Sequence, residues 1–254
     1  MNVAERLIVA ADFDPRTCGG ATGVKVKVMA LARALEGTGV IIKVNSVLRA
    51  LGYDLIRHLH DFGLKVFADL KIVDIAKTLE YDGAFLAECK PAIVTVMGAA
   101  DVDGIHALKK AIGADTEVLA VTVLTSHDDN ESFALYGCPA SAGVLRFARL
   151  AKLGGADGLI LSPQELSIVT KKPELAGMTF NTPGIRPSWS IVPGDDQKRV
   201  ANVGDALLAG ADRIVVGRPI LNAKPNDQDL PANPREAVLR TLASIENAVA
   251  VREA

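Results

Sequence analysis

Eight short apolar runs punctuate the chain: Leu7–Phe13, Val40–Asn45, Lys65–Lys71, Ile93–Gly98, Val118–Leu124, Gly158–Ser162, Met178–Asn181 and Arg213–Gly217. Most are near-continuous Val, Ile, Leu and Ala rather than an alternation of apolar and polar, which is the pattern of parallel strands covered on both faces. Amphipathic stretches separate them. Val24–Glu36 carries Val28, Leu31, Ala32 and Leu35 at helical spacing, Ala76–Cys89 carries Leu79, Gly83, Leu86 and Ala87, and Ala140–Leu153 and Arg235–Val251 repeat the pattern. The runs recur about every 30 residues, the length of a βα unit. Pro and Gly fall at the ends of the runs, and no linker or low-complexity stretch divides the chain. The pattern predicts an α/β fold, a single-domain (β/α)8 TIM barrel over residues 1–254. An open doubly wound sheet is disfavoured because no G-x-G-x-x-G follows the first run; Gly19–Gly20 precedes Ala21, which breaks that motif.

Composition narrows the class. The 254 residues are 49% hydrophobic, too apolar for disorder, and 28 Lys+Arg against 30 Asp+Glu leaves no basic excess for a nucleic acid or a membrane surface. No apolar stretch is long enough to span a bilayer, and the early run Leu7–Ala11 is too short for a signal peptide. Cys18, Cys89 and Cys138 lie far apart, are odd in number and form no C-x-x-C, so they are expected to be reduced thiols in a cytoplasmic protein. No H-E-x-x-H occurs. His58 and His60, two apart on a helix, point away from each other, so no metal site is expected.

Barrel active sites occupy the C-terminal ends of the strands, with phosphate often held after strands 7 and 8. The polar residues there are Asp12, Lys43 and Asn45, then Asp69 and Lys71 followed by Asp74, then Thr125 and Ser126, Gly184-Ile185-Arg186, and Gly217-Arg218. Charges inside apolar runs are costly unless they pair or function. Strand alternation puts Phe67, Asp69 and Lys71 on one face and Ile41, Lys43 and Asn45 on the neighbouring one, so Lys43, Asp69 and Lys71 are expected to converge at the mouth. Blander roles exist for each. Lys–Asp pairs can merely satisfy one another, Asp74 could cap the third helix, and Thr125 or Ser126 could cap a later one.

The segment Phe67-Ala68-Asp69-Leu70-Lys71-Ile72-Val73-Asp74-Ile75-Ala76-Lys77-Thr78 resembles the D-x-K-x-x-D-I motif of the orotidine 5′-phosphate decarboxylase family. Leu7–Asp12, Ile42-Lys43-Val44, Val121–Ser126, Thr182–Pro187, Gly194–Gln197 and Val216–Pro219 follow in that family's order, so the resemblance covers nearly the whole chain. It implies cofactor-free conversion of orotidine 5′-monophosphate to UMP in pyrimidine biosynthesis. Lys71 would stabilise and protonate the C6 carbanion, and Asp69 would hold Lys71 and stand near the departing carboxylate. Lys43 and Asp74 would complete an alternating network, and Asp12 and Lys43 would reach the ribose. Thr125 or Ser126 would contact the pyrimidine. Arg218, the Gly217 backbone and Gln197 would hold the phosphate, and Arg186 and Gln197 would flank a mobile loop around 186–199. The resemblance also implies a homodimer in which Asp74, Ile75 and Thr78 come from the neighbouring subunit.

The chain departs from the family pattern at Met97-Gly98, where relatives often carry histidine, and at Asn45, where glycine is common. Trp189 falls on the expected loop, and His127–Ser132 has no assigned role. Two rival readings are a magnesium-dependent sugar-phosphate decarboxylase or aldolase on the same barrel, and a barrel that binds phosphosugars without turnover.

Overall fold

Residues two apart on a strand share a face, and the eight runs sort accordingly in the computed structural model, which describes residues 1–190, 201–224 and 230–253. Strands β1 (Leu7–Ala10), β2 (Ile41–Val44), β3 (Lys65–Ile72), β4 (Ile93–Met97), β5 (Glu117–Val121), β6 (Gly158–Ile160), β7 (Thr179–Thr182) and β8 (Arg213–Val216) pair in chain order, all parallel, and β8 returns to β1. The result is a closed (β/α)8 barrel in one domain. Ile8, Ala10, Ile41, Phe67, Ile93, Leu119, Val121, Ile160 and Val215 fill its interior. The alternate residues, among them Leu7, Val9, Ile42, Val66 and Ala68, pack outward against the helices.

The helical stretches read from spacing recur with small shifts. Among the described residues the helices are α1 (Pro15–Cys18), α2 (Gly20–Leu35), α3 (Ser46–Leu51), α4 (Asp54–His60), α5 (Ala76–Cys89), α6 (Asp101–Ile112), α7 (Asp129–Tyr136), α8 (Ala140–Leu153), α9 (Leu166–Val169), α10 (Val203–Leu208), α11 (Arg218–Leu221) and α12 (Pro234–Glu253). Each long helix turns an apolar stripe to the sheet. In α5 the stripe is Leu79, Gly83, Leu86 and Cys89, and each buried leucine contributes about 1.5–3 kcal/mol. Gly83 is required where α6 crosses: a Cβ there would lie 2.9 Å from the Ala111 Cβ and the Leu108 carbonyl oxygen.

The stretch without a role, His127–Ser132, begins α7. Asp128 accepts from the Glu131 backbone N–H at 2.9 Å, and Glu131 accepts from the Asp128 N–H at 2.8 Å, a reciprocal cap of the helix start. Asp101 serves similarly at the start of α6, accepting from the Gly104 N–H. Asp74 is not a helix cap. Ile75 holds the cap position of α5, and Asp74 Oδ1 accepts the Ile75 N–H at 2.7 Å. Trp189 is half-buried against the outer core rather than exposed. The expected loop around 186–199 lies largely outside the described residues. Its first turn leaves through Gly184, at φ +77°, and Ile185 bridges to Ala201 in parallel. No helix among the described residues is long and apolar enough to cross a membrane.

Candidate active site

The C-terminal mouth of the barrel gathers a chain of alternating charges. Lys43 points inward from β2, two residues after the interior Ile41, and its ammonium lies 3.1 Å from both carboxylate oxygens of Asp12. On the other side it meets Asp69 Oδ2 at 3.2 Å. The second oxygen of Asp69 accepts from Lys71 Nζ at 2.6 Å. The order is therefore Asp12, Lys43, Asp69, Lys71. Within one chain the second aspartate of the mouth is Asp12, which lines the same cavity as Asp69.

Asp69 and Lys43 are each only 6% exposed. Burial pushes the Asp69 carboxyl up, but the Lys43 and Lys71 charges, with hydrogen bonds from Lys71 and the Thr95 hydroxyl, outweigh it and hold the group below its ordinary value. The sizes are reasonable. Desolvating a carboxylate costs several kcal/mol, and each ammonium at about 3 Å returns roughly 5 kcal/mol at an effective dielectric of 20.

Simple alternation places Phe67 and Asp69 correctly but does not explain Lys71. Between β3 and β4 the register runs from Ala68↔Val94 to Ile72↔Val96, so four steps on β3 face two on β4. Lys71 sits in this bulge at φ +50°, a left-handed conformation that costs a non-glycine residue about 1–2 kcal/mol. Its backbone N–H donates to Thr95 Oγ1 at 2.9 Å. Sequence reading missed Thr95. The available signal was a lone hydroxyl in an otherwise apolar strand, on the inward face shared by Ile93 and Met97.

These charges line a cavity of about 480 Å³ whose interior wall includes Phe67, Val121 and Ile160, and whose rim includes Thr125, Arg186, Gly217 and Arg218. Arg186 is buried, and its N–H donates to the Ala201 carbonyl at 2.9 Å. Asn45 also lines the cavity and caps α3. Of the expected site residues, Asp12, Lys43, Asp69, Lys71, Thr125, Arg186, Gly217 and Arg218 thus come together. Ser126 is exposed and outside the lining, which separates it from Thr125. Asp74 and Ile75 are exposed on the loop after β3, Thr78 is partly exposed on α5, and none of the three reaches this cavity. Gln197 lies outside the described residues. The cysteines are unpaired, and no group of three or more His, Cys, Asp or Glu side chains suited to a metal occurs among the described residues.

Comparison with known proteins identifies the family of the chain. Residues 5–231 match the model of the "Orotidine 5'-phosphate decarboxylase / HUMPS family". The chain is 36% identical over 252 residues to an orotidine 5′-phosphate decarboxylase of Ruegeria pomeroyi, covering 97% of this chain and 96% of the relative. It is 40% identical over 194 residues to one from Caulobacter sp. strain K31, covering 75% and 79%. Among solved structures, orotidine 5′-phosphate decarboxylase from Lactobacillus acidophilus superposes with a TM-score of 0.73 at 28% identity, over 96% of this chain and 98% of that one. With a family model matched over most of its length and relatives aligned nearly end to end, the chain belongs to the orotidine 5′-phosphate decarboxylase / HUMPS family.

Proposed function

We propose that the protein decarboxylates orotidine 5′-monophosphate to UMP, with Lys71 as the group that stabilises and protonates C6. One observation carries the reading: the Asp12–Lys43–Asp69–Lys71 chain ends on an ammonium that is 33% exposed, in a cavity whose rim carries Arg186 and Arg218. A phosphate ester with an anionic carboxylate at its other end fits such a cavity. The C6–carboxylate bond breaks, CO2 leaves, and the electron pair remains on C6 in an orbital in the ring plane, which the π system cannot accept. A proton from Lys71 Nζ then fills that position, and the lysine recovers one from water.

An ammonium about 4 Å from the developing anion contributes on the order of 4 kcal/mol at an effective dielectric of 20. Enzymes lower barriers by roughly 8–23 kcal/mol, so Lys71 alone is insufficient. The remainder comes from preorganisation and from phosphate binding energy used at the reacting carbon. Asp69 aims the Lys71 ammonium through its 2.6 Å bond. In this reading Thr125 meets the pyrimidine, Asp12 and Lys43 the ribose, and Arg218 with the Gly217 N–H and Gln197 the phosphate, under a loop around 186–199.

The working unit in this reading is a homodimer. Val73, Ile75, Tyr81 and Phe85 are all more than half exposed on the loop after β3 and on α5, an apolar face that a second copy would cover. That contact would carry Asp74, Ile75 and Thr78 towards the partner's mouth. Three unpaired cysteines fit a reducing cytoplasm. Against a magnesium-dependent rival, both mouth carboxylates are already engaged by ammonium groups. The deciding assay follows orotidine 5′-monophosphate absorbance with and without EDTA. Turnover unchanged by chelation is expected; no turnover, or loss on chelation, overturns the reading.

A further inference from the structure

Thr95 is fully buried on β4, between Ile93 and Met97 on the same inward face. A buried hydroxyl costs free energy unless both its functions are used, and valine would fill the same space in this apolar strand. Both functions are used here. Thr95 Oγ1 accepts the Lys71 N–H at 2.9 Å, and an N–H can only donate, so the hydroxyl proton is left for Asp69 Oδ1, also at 2.9 Å. The bulge makes this necessary. With four residue steps on β3 facing two on β4, Thr95 supplies by side chain the acceptor used by the Lys71 amide. One hydroxyl therefore fixes the left-handed backbone of Lys71 and the carboxylate to which the Lys71 ammonium is bonded.

We infer that Thr95 is a positioning residue for the reaction proposed above: its hydroxyl ties the Lys71 backbone to the Asp69 carboxylate and so sets where the Lys71 ammonium stands in the mouth. The inference rests on that functional reading and adds a contribution from β4. The charged groups facing Asp69 are Lys43 from β2 and Lys71 from its own strand, and β4 offers it the Thr95 hydroxyl. Removing that hydroxyl takes a donor from the carboxylate, which raises its pKa.

The test measures steady-state turnover of orotidine 5′-monophosphate against pH, with UMP binding and thermal melting alongside, for Thr95→Val and Thr95→Ser. Thr95→Val is expected to lower kcat at least tenfold, keep KM and the UMP Kd within threefold, and move the acid limb of kcat to higher pH. Thr95→Ser, which keeps the hydroxyl, is expected within threefold of the parent with the limb restored. If Thr95→Val does not fold, Thr95→Cys replaces it: a thiol of similar size but weaker donor strength is expected at least fivefold below Thr95→Ser. A valine variant with kcat within twofold and an unmoved limb, or a cysteine variant as active as serine, overturns the inference. An inactive parent protein overturns the functional reading and this inference with it, so the two failures are told apart by the parent alone.

Discussion

The two ends of the barrel both carry buried charge, yet they are built differently. At the N-terminal end, Arg213 opens β8 and lies 2.9 and 2.5 Å from the two oxygens of Glu117 at the start of β5, with Asn181 Oδ1 at 3.2 Å. That cluster borders a cavity of about 400 Å³, so charge beside a cavity is not by itself a site. The guanidinium is matched one to one, in bidentate geometry, and its side chain is 6% exposed. At the C-terminal end the charges form an open chain. Lys43 and Asp69 are sealed in the middle, while Asp12 and Lys71 reach outward at its ends. A closed pair neutralises itself and holds strands together; an open chain leaves one ammonium anchored on one side and available on the other.

The contrast predicts opposite phenotypes. The largest effect is expected from Lys71→Ala, which removes the available ammonium. Turnover should fall by a factor of a thousand or more, about 4 kcal/mol or more in transition-state stabilisation, while UMP affinity stays within about tenfold. Activity above a tenth of the parent would show that Lys71 is not the acid. Arg218→Ala comes next. It removes a cationic fork from the rim, and KM should rise ten- to a hundredfold, about 1.4–2.8 kcal/mol, with a smaller change in kcat. An unchanged KM in steady-state assays would remove Arg218 from the phosphate.

At the other end, Arg213→Met should leave KM and kcat within twofold and act on stability instead. Glu117 is partly exposed and can rehydrate, so the loss is about 1–3 kcal/mol rather than the full cost of an orphaned buried ion. In a chain of this size that lowers Tm by roughly 2 to 12 °C in a melting experiment. A large fall in kcat without a fall in Tm would erase the distinction between the two ends.

Much of this was legible beforehand, and for a reason. The strands are nearly continuous Val, Ile and Leu because both faces are covered, so the eight runs and their order were visible without any contact information. Lys43 and Asp69 were placed correctly because alternation is a local rule. Lys71 reached the mouth by a route that alternation does not contain, since the bulge depends on how β3 registers against β4. Thr95 was invisible for the same reason: its partners, Asp69 and Lys71, lie 26 and 24 residues away in sequence. Leu79, Gly83 and Leu86 of the α5 stripe and the α8 boundaries followed from periodicity, although Cys89 and not the expected Ala87 completes the buried stripe; Asp128 was unread because its cap only has meaning once α7 exists. Thr125 and Ser126, adjacent in sequence, are separated only by which of them faces the cavity.

The smallest effect is expected at that cap, and it asks how independent the loops of the mouth are from their helices. Asp128 and Glu131 satisfy each other's backbone N–H groups, and the cap lies three residues beyond Thr125 on the loop that leaves β5. Asp128→Ala should cost about 1 kcal/mol, the usual loss of an N-cap, and lower Tm by roughly 2–4 °C. Leu124 accepts the His127 N–H at 2.9 Å, which closes the turn containing Thr125 ahead of the cap. KM for orotidine 5′-monophosphate should therefore stay within twofold. A larger rise in KM at an unchanged kcat would mean that the α7 cap, and not the turn, holds Thr125 against the substrate, and the boundary between stabilising and working parts of the barrel would then run through the loop rather than at its foot.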